Sequence, residues 1–139
     1  MRAPPVLVLL FCSSLTLAAA QARAAGGLDP SFGTSGLVQA PYGDASDVAR
    51  QSSGSLVMLA SDASFSFRAS RFDEDGAPDG TFATAGTFAF PLGSAVGAFP
   101  AALHVDASDR IVVVGTYFSG EDQDQIMVVR LTAARGRRS

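Results

Sequence analysis

Asp29-Pro30-Ser31-Phe32-Gly33-Thr34-Ser35-Gly36 returns fifty positions later as Asp79-Gly80-Thr81-Phe82-Ala83-Thr84-Ala85-Gly86, with the Asp, the Phe, the second Thr and the last Gly kept. Internal repetition at a period of roughly 20–50 residues is the mark of arrays built from one supersecondary unit, so it is weighed before any local pattern. A second echo follows the first. Leu56-Val57-Met58-Leu59-Ala60 answers Ile111-Val112-Val113-Val114-Gly115, and 66–72 answers 125–131, in the same order in both copies. The offset grows from 50 to 55 to 59, which puts extra residues of copy two at 91–100 and 119–125, and insertions of this kind belong to loops.

Between these landmarks the apolar runs are short, rich in Val, Ile and Phe, and divided by Gly, Asp, Ser and Pro. Those are strand and turn signals, and no long stretch repeats at helical period. Strands are expected over 36–40, 46–51, 56–60 and 65–72 in copy one, and over 86–90, 101–105, 111–116 and 125–131 in copy two. Ser53-Gly54 and Asp75-Gly76 are expected turns, because Gly accepts a positive φ and Asp bonds its own backbone. The runs 56–60 and 111–114 are continuously apolar, the pattern of strands covered on both faces, and are the expected core strands. The fold class that results is all-β, with two four-stranded antiparallel repeat units of propeller-blade type. Repeat 1 would span about 28–77 and repeat 2 about 78–136, together a β domain over 26–136, with a basic tail at 132–139.

The start of the chain reads differently. Arg2 precedes an apolar run over 6–20, followed by the small-x-small sites Ala20-Gln21-Ala22 and Ala22-Arg23-Ala24. This predicts a cleavable secretory signal peptide over 1–25, since the 15-residue run, with Ser13, Ser14 and Thr16 inside it, is shorter than the ~20 residues a transmembrane helix needs. The expected location is secreted or periplasmic, with no membrane span after cleavage. Cys12, the only cysteine, falls inside the leader, so no disulfide framework can form.

The 139 residues carry a net charge of −3, and every one of the ten basic residues is Arg. Nucleic acid is an unsuitable partner for such a chain, whose affinity would rest on neutralising phosphates. Without Lys there is no Walker A loop, no Schiff base and no Ser-x-x-Lys hydrolase. His104 is the sole histidine and has no G-x-S-x-G elbow to serve. Asp73, Asp75 and Asp79 form D-x-D-G-x-x-D, which has the carboxylate density of a Ca²⁺ loop but not the alternating ligands and distant Glu; a plain turn is the stronger reading, with Ca²⁺ the one cofactor to consider. Glu121, Asp122 and Asp124 make a second acidic group in an insertion.

Gly27-Leu28-Asp29-Pro30-Ser31-Phe32-Gly33 followed by Gly36, together with Arg71-Phe72 before Asp75-Gly76 and with Arg130-Leu131, resembles the delta-60 repeat family of bacteria. The resemblance runs from about 28 to 131 and implies strand-rich, propeller-like blades without implying an activity. Copy two departs from it at Pro78, Ala83 and Arg135-Gly136. Asp29, Phe32, Gly33, Gly36, Arg71, Asp79, Phe82, Gly86 and Arg130 are the structural repeat residues. Phe32 and Phe82 are expected to plug the space between neighbouring sheets. Arg71 and Arg130 end strands and are expected to bond turn carbonyls or Asp79 and Asp29, so that replacing either by Ala would destabilise equally.

The function expected is that of an exported, non-enzymatic surface or extracellular interaction or structural module, contacting a protein or glycan through 91–100 and 119–125. A secreted polysaccharide hydrolase with an acidic pair is the alternative of another class, and a truncated propeller remnant a third. Two blades are too few for a ring of four to eight, so a closed two-sheet body and a homo-oligomer are both open.

Overall fold

A computed structural model describes residues 26–41, 43–91, 96–119 and 124–132. These residues form two antiparallel sheets and no helix. Sheet one has the order β1 (Asp44–Arg50), β2 (Leu56–Ser61), β3 (Phe67–Phe72), β4 (Thr87–Ala89). Sheet two has the order β5 (Gly97–Val105), β6 (Ile111–Phe118), β7 (Asp124–Leu131). The expected signal peptide, and the parts of the contact loops at 92–95 and 120–123, lie outside the described residues.

The strands differ from the expected two sets of four in one instructive way. Residues 36–40 form no sheet strand, making only the bridges Gly33↔Leu37 and Thr34↔Leu37. Their counterpart after the second turn, β4, pairs instead with β3 through Arg68↔Ala89, Ala69↔Phe88 and Ser70↔Thr87. Sheet one is therefore completed by a strand drawn from the second copy. Pairing needs an adjacent edge; β3 offers one to β4, whereas among the described residues no strand pairs with 36–40.

Four hairpin turns share one backbone design. Gln51, Asp62, Asp73 and Asp106 each donate their N–H to the carbonyl four residues on and accept from the N–H three residues on. The three aspartates add a carboxylate oxygen that accepts two more N–H groups of the same turn: Ser64 and Ser66 for Asp62, Asp75 and Ala77 for Asp73, Ser108 and Arg110 for Asp106. The fourth residue of each turn has a positive φ, namely Gly54, Phe65, Gly76 and Asp109. The Asp cap compensates donors that the reversal strips from the ladder.

The core lies between the sheets. Val57, Leu59, Phe67 and Ala69 of sheet one meet Ala98, Leu103, Ile111 and Val113 of sheet two, with Phe82 and Phe90 closing one side. Each large side chain buried here contributes about 1.5–3 kcal/mol. Phe67 packs edge-on to Phe90 at 5.7 Å between centroids. Its ring also sits directly over Gly115, where any Cβ would overlap it. Glycine is required there because the Phe67 ring and the Phe99 carbonyl fill the space a side chain would take.

The two central strands, expected to be covered on both faces, are fully covered on one and only partly on the other. In β2, Val57 and Leu59 are fully buried, while Leu56 and Met58 are half-buried. In β6 the opposite parity holds: Ile111 and Val113 are fully buried, and Val112 and Val114 are half-buried.

Candidate functional site

A densely bonded polar group among the described residues is centred on Arg71, a buried residue near the end of β3. Its Nε and Nη2 both donate to Asp79 Oδ2 at 2.8 Å, and Nη2 reaches Thr81 Oγ1 at 3.2 Å. The guanidinium lies 4.8 Å above the Phe82 ring. Nη1 donates to Gln51 Oε1 at 3.5 Å, and Gln51 Nε2 donates to the Asp109 carbonyl at 2.8 Å. Asp109 in turn accepts the N–H and hydroxyl of Ser52. A chain of bonds thus runs from the β5–β6 turn through sheet one to the turn that begins β4. Burial works against the charged form of Asp79, but the Thr81 hydroxyl and N–H and the Arg71 guanidinium outweigh it and hold its carboxyl below the ordinary range.

The turns at 29–36 and 79–86 have matching internal bonds. Phe32 N–H donates to Asp29 and Gly36 N–H to Phe32; Phe82 N–H donates to Asp79 and Gly86 N–H to Phe82. Oδ1 of Asp29 accepts the N–H and hydroxyl of Ser31, and Oδ1 of Asp79 does the same for Thr81. Positive φ falls at Gly33, Ser35 and Gly36 in one, and at Ala83, Ala85 and Gly86 in the other. Their surroundings differ. Phe82 is buried against the core, whereas Phe32 is half-buried beside Gly76 and Val38. Arg130, at the place on β7 that Arg71 holds on β3, is exposed and forms no ion pair among the described residues.

Asp73, Asp75 and Asp79 do not converge. Asp73 caps its own turn and Asp79 faces Arg71, and among the described residues no three His, Cys, Asp or Glu side chains gather as metal ligands would. His104 is exposed on β5, opposite Val112. The remaining well-bonded carboxylates are structural: Asp47 accepts the Leu103 N–H, Asp62 holds Arg68, and Asp106 holds Arg110.

Two grooves mark the surface. One, of about 520 Å³ and largely apolar, lies on the uncovered face of sheet one between Phe32, Val38, Ala40, Val48, Met58 and Phe72. The other, of about 720 Å³, opens between Asp44, Asp62, Phe65, Phe99 and Pro100. The uncovered face of sheet two carries Ile126 and Val128, 84% and 64% exposed. Nothing local in the sequence signals these faces, because their residues read as ordinary strand positions. The available signal is the continuous apolarity of 56–60 and 111–114, which provides for two covered faces.

Among the described residues the geometry defines an all-β protein of two stacked antiparallel sheets whose outward faces carry exposed apolar side chains. No family model, curated protein or solved structure matches the chain.

Proposed function

We propose that this chain is an exported, non-enzymatic β-repeat module of the delta-60 type that works by binding another macromolecule through the outer faces of its sheets. The observation that carries this reading is the pair of apolar faces left open on a well-satisfied body: Val48 at 60%, Ile126 at 84% and Val128 at 64% exposure. Side chains of this size gathered on a sheet face mark contact surfaces. The best-bonded aspartates support the same reading, since they hold turns, strand ends or Arg rather than open space. The leader expected over 1–25 and the net charge of −3 fit an exported chain ill-suited to nucleic acid.

A cysteine placed at 128, with the unaltered chain as control, tests this in the producing cells. A thiol-reactive crosslinker should join Val128→Cys to a macromolecule in a discrete adduct that the control lacks. A chain that stays uncoupled at every crosslinker length would overturn the reading.

A further inference from the structure

We propose that the partner of each outer face is a second copy of this chain, stacked in the same direction so that the contact between sheets one and two is repeated between molecules. This rests on the binding-module reading above and names its partner.

The argument is positional. In sheet one Val57 pairs with Arg71, and in sheet two Val112 pairs with Arg130. The sheets therefore correspond residue by residue, β2 to β6 at an offset of 55 and β3 to β7 at 59. The face of sheet one that is buried in the molecule consists of Val57, Leu59, Phe67 and Ala69, all at 0% exposure. Its counterpart on sheet two is Val112, Val114, Ile126 and Val128, the face that lies open. The face of sheet two that is buried includes Leu103, Ile111 and Val113. Its counterpart on sheet one is Val48, Leu56 and Met58, the wall of the apolar groove.

One molecule thus holds one complete contact and both halves of another, at opposite ends. The edges of the two half-contacts also carry matching polar groups. Arg71 binds Asp79 at the edge of sheet one where β4 joins β3. Exposed Arg130 and the turn at Asp29, which has the same internal bonds as the turn at Asp79, hold the corresponding positions of the repeat. Phe32, Val38 and Ala40 line the groove where Phe82, Phe88 and Phe90 close the internal contact. The edge of β7 away from β6 is bare among the described residues, and 37–40 of a second molecule would lie along it as β4 lies along β3. Both halves differ from each other, so the contact is heterologous and generates a ring or an open filament rather than a two-fold dimer. The clamp of Ser52 and Gln51 on Asp109 has no counterpart between molecules, because Ala107, Asp106 and Gly54 stand at those positions. Association should therefore be reversible and rise with concentration.

The test uses the full purified chain and two variants, Val128→Asp on one face and Met58→Asp on the other, with mass measured by light scattering across a dilution series. The unaltered chain should give integer multiples of one chain mass that dissociate on dilution. Each variant alone should associate on the order of 100-fold more weakly. Mixed together they should form a species of two chains and nothing larger, because each supplies the face the other has lost. Circular dichroism keeps loss of fold distinct from loss of contact. Arg130→Asp should weaken association, and Asp29→Arg in a mixed second molecule should restore it. A chain that is monomeric at every concentration, multiples that survive both Asp variants, or variants that fail to pair when mixed would each overturn the proposal. If the Val128→Cys adduct nonetheless forms in cells and contains a different protein, self-association fails while the binding-module reading stands.

Discussion

Arg71 and Arg130 read alike in the sequence and differ in the folded chain, and the difference is one of company. Arg71 is 6% exposed and bonds Asp79, Thr81 and Gln51; its loss would leave Asp79 desolvated beside an empty space. Arg71→Ala should lower the unfolding free energy by about 1.5–3 kcal/mol. Arg130→Ala, on an exposed strand face, should change the isolated chain by no more than about 0.5 kcal/mol. Urea denaturation of the two variants at low protein concentration checks the contrast, and equal losses would return the pair to equivalence. Phe67 and Gly115 form the tightest steric pair. Gly115→Val should cost about 1–3 kcal/mol by overpacking, and Phe67→Ala about 3–5 kcal/mol by cavity formation. Ala83 holds a positive φ where the first turn has Gly33. Relief of left-handed strain worth about 1–2 kcal/mol exceeds the entropy glycine adds to the unfolded chain, so Ala83→Gly should raise Tm in calorimetry.

Seven of the eight expected strands were legible because each run of Val, Ile and Phe ends at a turn residue, and 56–60 and 111–116 fall within β2 and β6, whereas 36–40 forms none. The turns were legible only where they contain Gly. Phe65 and Asp109 occupy the same left-handed position as Gly54 and Gly76, and their signal is the Asp three residues earlier, whose carboxylate caps the turn. What local pattern could not reveal is which sheet a strand joins. β4 has the same sequence flavour in either arrangement, and only its long-range register with β3 assigns it. The Asp caps also set an acid limit. Hydrogen bonds from Ser66 hold the Asp62 carboxyl below its ordinary range, and those from Ser52 do so for Asp109. For Asp106, burial opposes the charge, but bonds from Arg110 and Ser108 outweigh it. A carboxyl whose folded pKa lies below its unfolded one stabilises at pH above the unfolded value and loses that contribution as pH falls. Stability measured by urea midpoint should be flat near neutrality and decline below about pH 4. In Asp62→Asn/Asp79→Asn the decline should be shallower, and an unchanged slope would remove these carboxyls from the account.

For the molecule entire, the sheets bury opposite parities of their central strands, β2 through Val57 and Leu59, β6 through Ile111 and Val113. The continuously apolar runs suggested strands covered twice over, and each sheet in fact has one fully covered face and one covered only in part, with Ala60, Ser70 and Phe72 buried on the outer face of sheet one. Short apolar runs set between turn residues made an all-β fold of antiparallel sheets readable, whereas the pairing of β4 with β3 was not, because it depends on a partner edge eighteen residues or so away in sequence. That pairing also governs the order in which the chain can become stable as it is made. A growing polypeptide that has delivered only residues up to 77 holds β3 with a bare edge and Arg71 without Asp79, so the first copy cut at its sequence boundary should remain protease-sensitive. Lengthening the fragment past Phe90 supplies the missing strand and the Arg71 partner, but the face of Val57, Leu59, Phe67 and Ala69 is covered only by sheet two, so resistance to limited proteolysis should appear only in fragments that reach Leu131. The ribosome must therefore release nearly the whole second copy before the first can close.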